Sequence, residues 1–309
     1  MVSRHSVIFI LTVALATLSC GLPSASIAPT PAPTQQAIVP TSTAATASLT
    51  IDQIKNAQYQ LGTRDDHAVV KLADGKYQQG TDTTAADYAS IVLADSVAFG
   101  DLNGDGVNEG AAIVFENYGG TGEFAMLTIY SNVNGLPVFL TSVLLGDRPM
   151  INSISIDGGE VFLDATIQGT NDPSCCPTLQ TTRRYILDKN KLQMLNYTTN
   201  TLDGKKHEIA INIPANGSEA TGSVQVTGTV SIAPFENNLS YFVYDEAGNE
   251  LAKGPVPVST SDPGAPGTFD STIALANIPA GATVYLEIQD ISAADGSWLA
   301  MDAVKLAVK

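Results

Sequence analysis

From Ile51 to the C-terminus the chain runs in short apolar stretches rich in Val, Ile, Leu and aromatic residues, separated by clusters of Gly, Asn and Asp. Ala111–Phe115, Met126–Tyr130, Val138–Leu145, Ile151–Ile156, Val161–Ile167 and Arg183–Leu187 have the length of strands. Breaks such as Asn132-Val133-Asn134-Gly135 and Asp157-Gly158-Gly159 have the composition of hairpin turns. This spacing predicts hairpins and meanders, not βαβ units. One short helix is expected over Asp52–Tyr59, capped by Thr50 or Asp52, with Ile54, Ala57 and Gln58 on one side.

Beyond His207 seven further β-type segments follow, near Glu208–Ile213, Ser223–Ser231, Leu239–Asp245, Glu250–Val256, Thr268–Leu275, Thr283–Asp290 and Ala303–Val308. Apolar and polar residues alternate cleanly in Val224-Gln225-Val226-Thr227 and in Val284-Tyr285-Leu286-Glu287-Ile288. Seven short strands in about 100 residues, with polar turns between them, predict an antiparallel immunoglobulin-type sandwich. The region has no Cys, so no inter-sheet disulfide is available to it. The expected fold is mainly β: an N-terminal β-rich (α+β) domain with a short helix over residues 51–206, followed by an immunoglobulin-like β-sandwich over 207–309.

The N-terminal part has a different pattern. Arg4 and His5 precede the apolar run Val7–Leu18, which is too short to cross a hydrocarbon layer of ~30 Å comfortably. The run ends in Thr17-Leu18-Ser19-Cys20-Gly21. A small residue before a Cys at this point resembles the bacterial lipoprotein signal, although Thr17 stands where Leu is usual. The resemblance implies that residues 1–19 are removed and that Cys20 is lipidated as the mature N-terminus. An ordinary secretory signal that contains a Cys is the alternative. From Leu22 to Thr50 there is no charged residue, and Pro23, Pro29, Pro31, Pro33 and Pro40 lie among Ser, Thr, Ala and Gln. Such a stretch cannot bury enough surface to fold, so residues 20–50 read as a lipid-anchored tether. The expected location is extracytoplasmic, at the bacterial membrane, held by lipid at Cys20.

Composition narrows the partners. The 309 residues carry 15 Lys+Arg against 31 Asp+Glu, a net charge of −16. The C-terminal region alone has three Lys and twelve Asp+Glu. A chain this acidic, with no basic stripe, repels nucleic acid. Three Cys, three His and one Trp leave little material for a His-rich metal centre or a haem.

Two resemblances bear on chemistry and fold. Asp101-Leu102-Asn103-Gly104-Asp105-Gly106-Val107-Asn108-Glu109 puts oxygen ligands at its first, third, fifth and ninth positions, and Gly106 allows a sharp turn. Alternate side chains of such a loop converge, the carbonyl of Val107 can join them, and Glu109 closes the shell, which is the ligand logic of a structural Ca²⁺ loop. It is not an EF-hand, because Ala112 stands where that motif needs a bidentate Glu. With Phe99-Gly100 before it, the loop resembles the calcium loop of FG-GAP repeats, here in a single copy. An acidic turn whose Asp and Asn side chains satisfy their own backbone is the competing reading. In the C-terminal region, Ile211-Asn212-Ile213-Pro214, Asn216-Gly217, Val226-Thr227-Gly228-Thr229-Val230, Pro234-Phe235-Glu236, Val243-Tyr244-Asp245, Gly248, Gly267-Thr268-Phe269 and Ser292-Ala293-Ala294-Asp295-Gly296-Ser297 follow one another in order. This series resembles the immunoglobulin-like domain of bacterial sporulation and spore-germination proteins, and it implies an extracytoplasmic module rather than an activity.

The remaining signals are fewer. Cys175 and Cys176 are neighbours between two prolines, and the expected signal implies an oxidising compartment for them. A static disulfide, two reduced thiols and a redox-responsive bond are the readings, in that order. Arg148, Arg183 and Arg184 are expected to be ion-paired to Asp172 or Asp188 rather than free for an anion. Gly120-Thr121-Gly122-Glu123-Phe124-Ala125 reads as a turn before a strand, because no helix follows to hold a pyrophosphate. The chain has no G-x-S-x-G elbow, Walker loop or H-E-x-x-H. The reading that results is a non-enzymatic, lipid-anchored surface protein for adhesion, assembly or envelope- or spore-related interactions. Its partner would be an envelope protein or a wall component. The alternatives are an envelope hydrolase with its site in 51–206 and a wall- or carbohydrate-binding accessory module.

Overall fold

The computed structural model describes residues 47–309. The expected signal segment 1–19, the expected lipidation site Cys20 and the expected tether as far as residue 46 lie outside the described residues. Among the described residues no helix is long and apolar enough to cross a membrane.

The chain opens with a single helical turn, α1 (Ile51–Ile54). Thr50 caps it: its hydroxyl accepts from the Gln53 N–H, and the Gln53 side-chain Oε1 accepts from the Thr50 N–H. The expected helix over Asp52–Tyr59 is therefore too long. Gln58–Gln60 is instead strand β1, paired antiparallel with β2 (Val69–Lys71). The reason is burial: Ala57, Tyr59 and Leu61 are buried while Gln58 and Gln60 face outward, which is the period of a strand.

Five strands then form an antiparallel sheet in chain order: β3 (Lys76–Gln79), β4 (Ala89–Gly100), β5 (Glu109–Asn117), β6 (Phe124–Val133) and β7 (Leu136–Asp147). Both faces of this sheet are covered, so β5 reads as a continuous apolar run. Ala112 and Val114 face a core with Ile54, Tyr59 and Leu72. Ala111 and Ile113 face a second core with Leu127, Leu163 and Tyr185. Gly110 lets α1 sit against the sheet, since a Cβ there would lie 2.7 Å from Ile54 Cδ1. Among the apolar side chains, Glu116 is fully buried. Its carboxylate accepts from Tyr59 OH (2.5 Å), Gly62 N (2.7 Å), Thr63 N (3.0 Å), Thr63 Oγ1 (2.6 Å) and Tyr118 OH (3.0 Å), and so ties β1 and its following loop to β5.

The second core is closed from the other side by a meander of β8 (Met150–Asp157), β9 (Glu160–Ile167), β10 (Leu179–Asp188) and β11 (Lys191–Asn200). Two-residue turns set the register at both expected breaks. Asn134-Gly135 links the partners Val133 and Leu136, and Gly158-Gly159 links Asp157 and Glu160, all four turn residues having positive φ.

The C-terminal strands are β12 (Lys206–His207), β13 (Ile209–Ile213), β14 (Ser218–Ala220), β15 (Ser223–Val230), β16 (Asn238–Asp245), β17 (Glu250–Thr260), β18 (Gly267–Ala274), β19 (Thr283–Ile291) and β20 (Trp298–Val308). The seven segments expected from the pattern are all strands. They form the expected sandwich around Val226, Val243, Val256, Phe269, Leu286 and Leu306. β17 serves both sheets: residues 250–257 pair with β16 and Val258–Thr260 pair with β18. β20 pairs with β19 along most of its length and, on its other edge, with β11 through Asn196↔Asp302, Tyr197↔Met301 and Thr198↔Ala300. One hydrogen-bonded path thus runs β13-β15-β18-β17-β16-β19-β20-β11-β10-β9-β8. The expected domains 51–206 and 207–309 meet along this ladder.

Because β11 is held to β20, the connection Thr201–Lys205 can be cut without freeing either side; Leu202 within it is fully exposed. Limited proteolysis is expected to nick this connection and give two bands on a denaturing gel but one species in native gel filtration. Two separately eluting fragments would show that the ladder does not hold the halves together.

Several carboxyls are buried on β19 and β20. Burial raises Glu287 and Asp302 and pushes Asp290 up from 3.8 to about 6. The folded protein therefore holds the Asp290 proton more tightly than the unfolded chain does. The associated stability is present below pH 3.8 and is lost as the pH rises through about 6. His207 Nε2 lies 3.6 Å from Asp290, and burial lowers its pKa from 6.5, so its contribution has the opposite sign: present above 6.5 and lost as the pH falls. Asp290→Asn separates the two. Its melting temperature should match wild type near pH 4 and exceed it progressively up to about pH 6, then by a constant margin. A margin independent of pH, measured by thermal unfolding at several pH values, would contradict this assignment.

Candidate functional site

The loop Asp101–Glu109 connects β4 to β5. It is anchored at Leu102, which is buried in the second core, and at Glu109, which is buried at the start of β5; Asn103 to Gly106 are exposed. Asp101 accepts from Gly104 N (2.7 Å) and Gly106 N (2.8 Å), Asn103 from Asp105 N (2.9 Å), and Asp105 from Val107 N (2.7 Å). Glu109 accepts from Leu102 N (2.9 Å). The Asn103 amide donates to both Asp105 and Glu109, at 3.2 Å each, so these two carboxylates turn toward one point. The Gly106 N–H, with other loop N–H groups, lowers the Asp101 pKa. Burial raises Glu109, with Asp105 and Asp101 adding repulsion. Asp101 is spent on the loop's own N–H groups, whereas Asp105 and Glu109 share a donor. Among the described residues no group of three or more His, Cys, Asp and Glu side chains is gathered as a metal would require.

Cys175 and Cys176 lie in the exposed loop between β9 and β10, with their sulfurs 2.33 Å apart. Asp172 organises this loop by accepting from Gly169 N (2.8 Å), Thr178 N (2.7 Å) and Thr178 Oγ1 (2.8 Å). Thr170 Oγ1 donates to Asp295, which fastens the loop to the turn between β19 and β20. The segment Gly120–Gly122 is a loop, and β6 begins at Phe124, so a strand follows it as expected.

The arginines do not take the expected partners. Arg148 pairs with Asp147 (2.6 Å), and Arg184 with Glu160 (3.3 Å) and Asp302 (3.4 Å). Asp172 is occupied by its own loop, and Asp188 pairs with Lys305 (2.8 Å) and accepts from Tyr285 OH. Arg183 forms no ion pair among the described residues. Successive residues of a strand point to opposite faces, so Arg183 and Arg184 cannot share one partner.

Arg184 lines a cleft of about 480 Å³ where β9, β10 and β11 meet β13. Arg183 borders it too, and the charges of Asp164, Arg184, Lys206, Glu208 and Asp302 that converge there are engaged. Asp302 accepts from Asn196 Nδ2 (3.1 Å) and from Ile211 N (2.8 Å) as well as pairing with Arg184. Asp164 accepts from Asn152 (2.9 Å), and Lys206 pairs with Glu208 (2.9 Å). Asp302 thus binds β11 and β13 to β20. The pattern of the sequence does not single out Asn196 or Asp302, which are brought together only by strand pairing across more than a hundred residues.

No curated protein matches the chain. The Gmad2 family, described as the immunoglobulin-like domain of bacterial spore germination, matches residues 208–297. With seven strands wrapped on one apolar core, this region is an immunoglobulin-like domain of the spore-germination type.

Proposed function

We propose that this is a non-enzymatic, lipid-anchored surface protein. It presents a Ca²⁺-stabilised β region and an immunoglobulin-like module for adhesion or assembly at the bacterial envelope. The observation that carries the reading is the hydrogen bonding of β20 to β11, which joins the spore-germination-type module to the preceding meander as one ladder. A module fixed in this way is suited to holding a binding surface at a set geometry beyond a tether. The lipid anchor rests on Thr17-Leu18-Ser19-Cys20 and the uncharged, Pro-rich stretch that follows. The calcium reading rests on the ligand spacing and is supported by the turn of Asp105 and Glu109 toward one point. The Ca²⁺ ligands in this reading are Asp101, Asn103, Asp105, the Val107 carbonyl and Glu109, and the cation has a structural role. Cys175 and Cys176 form a static disulfide that stiffens the loop tied to Asp295. Partner and substrate class enter here as envelope protein or wall component.

Two measurements test the parts separately. Metabolic labelling with a fatty-acid analogue should tag the wild-type protein and leave Cys20→Ala unlabelled; label retained by the variant would remove the anchor. For the loop, a cation that binds only the folded form adds about 2.7 kcal/mol at a hundredfold excess over its Kd, and less at weaker saturation. The lipid-free chain should therefore melt at a higher temperature in millimolar Ca²⁺ than in EDTA, with a smaller effect from Mg²⁺, which sheds water reluctantly. Asp105→Ala should abolish the difference. Superimposable melting curves in EDTA and Ca²⁺ would leave the loop as an acidic turn that satisfies its own backbone.

A further inference from the structure

Arg183 is the one arginine among the described residues without a carboxylate partner; Arg64, Arg148 and Arg184 are all ion-paired. It is also the deeply buried one, 9% exposed. Its guanidinium lies over the Tyr197 ring, 5.5 Å from the centroid, donates from Nη1 to the Leu145 carbonyl (3.3 Å), and has the Tyr185 hydroxyl beside it. Its Nε has no hydrogen-bond partner. Stacking on Tyr197 uses the face of the guanidinium and leaves in-plane donors over. The guanidinium is thus a buried cation short of an anion.

The same guanidinium lines a groove of about 390 Å³ between β7, β10, β11 and the start of β20. Val143, Leu144, Met194, Tyr197 and Trp298 supply apolar wall, Tyr185 and Gln193 add neutral polar groups, and no acidic residue is among the lining. Trp298 packs edge-on against Tyr197, with centroids 6.1 Å apart, and remains 37% exposed. An accessible apolar groove with one unneutralised cation at its inner end, on a chain of net charge −16, has a definite complement.

We propose that this groove binds a small amphipathic carboxylate, its carboxylate meeting Arg183 and its apolar body lying along Tyr197 and Trp298. A single guanidinium matches a single negative charge. A phosphate monoester would bring a second charge into an apolar, acidic setting, and a cationic ligand would meet Arg183 already seated on the aromatic face. A bidentate pair with the carboxylate supplies the in-plane acceptors that Arg183 lacks.

Trp298 is the only tryptophan in the chain, so its fluorescence reports on this groove directly. The lipid-free chain is titrated with phenylacetate, with its neutral isostere phenylacetamide and with phenethylamine. The expected result is a saturable fluorescence change with phenylacetate, with a Kd of about 1 mM or tighter. Binding of the amide and the amine should be at least about tenfold weaker, and phenylacetate alone should raise the melting temperature. Arg183→Gln should weaken phenylacetate binding about tenfold or more. Because that variant alters a buried residue, Leu144→Glu provides the second arm: Leu144 is 49% exposed at the rim, so the new charge leaves the fold intact and should repel the acid while sparing the amide. The proposal is overturned by an absence of saturable change up to about 10 mM phenylacetate, by equal responses to acid, amide and amine, or by Leu144→Glu binding phenylacetate like wild type.

Discussion

The fold turns on a short stretch of backbone pairing. Three residues of β11, Asn196 to Thr198, hydrogen-bond to Ala300–Asp302 of β20, and through them a meander and a sandwich become one sheet path. Without that contact each part would end in an open strand edge, an invitation to pair with another chain. Side chains reinforce it from both ends. Thr199 Oγ1 donates to the Leu299 carbonyl at 2.7 Å, and the Asp302 carboxylate gathers Asn196, Arg184 and the Ile211 N–H. Asp302 consequently touches β11, β10 and β13 at once, and these donors offset part of the cost of its burial.

The same logic governs the other buried charges of a strongly acidic chain. Glu116 is satisfied by five donors and fastens β1 to β5. Glu287 has the Gln289 amide at 2.6 Å, and Asp290 has His207 beside it. Carboxylates nearer the surface are spent on turns: Asp101, Asp172 and Asp245, all half-buried, each accept backbone N–H groups of their own loops. Against this background Arg183 stands out, a buried cation whose neighbours offer a carbonyl, a tyrosine hydroxyl and an aromatic face but no carboxylate pair.

The site region combines two kinds of order. The Asp101–Glu109 loop is built locally, from hydrogen bonds that span two to seven residues, and its ends are pinned by the burial of Leu102 and Glu109. The Arg183 groove and the Asp302 cleft are built at long range, from strands far apart in the chain. Arg183 borders both hollows, and its neighbour in β10, Arg184, borders the Asp302 cleft.

Strand content, turn positions and the sandwich were legible in the sequence because they depend on a two-residue period and on residues that tolerate positive φ, such as Asn134-Gly135 and Gly158-Gly159. The order of motifs from Ile211 to Ser297 likewise pointed to the domain type that the family match supports. The loop Asp101–Glu109 was legible as a compact acidic loop because its bonding is local. Tertiary structure decided the rest. A helical stripe over Asp52–Tyr59 gave way to β1 because Ala57, Tyr59 and Leu61 are all buried, and only an extended chain puts alternate residues on one side. The partners of Arg148, Arg183 and Arg184 were set by strand register, which places Asp302 beside Arg184 and leaves Arg183 facing Tyr197. Composition records how many charges a chain carries, but which of them meet depends on pairings between strands a hundred residues apart.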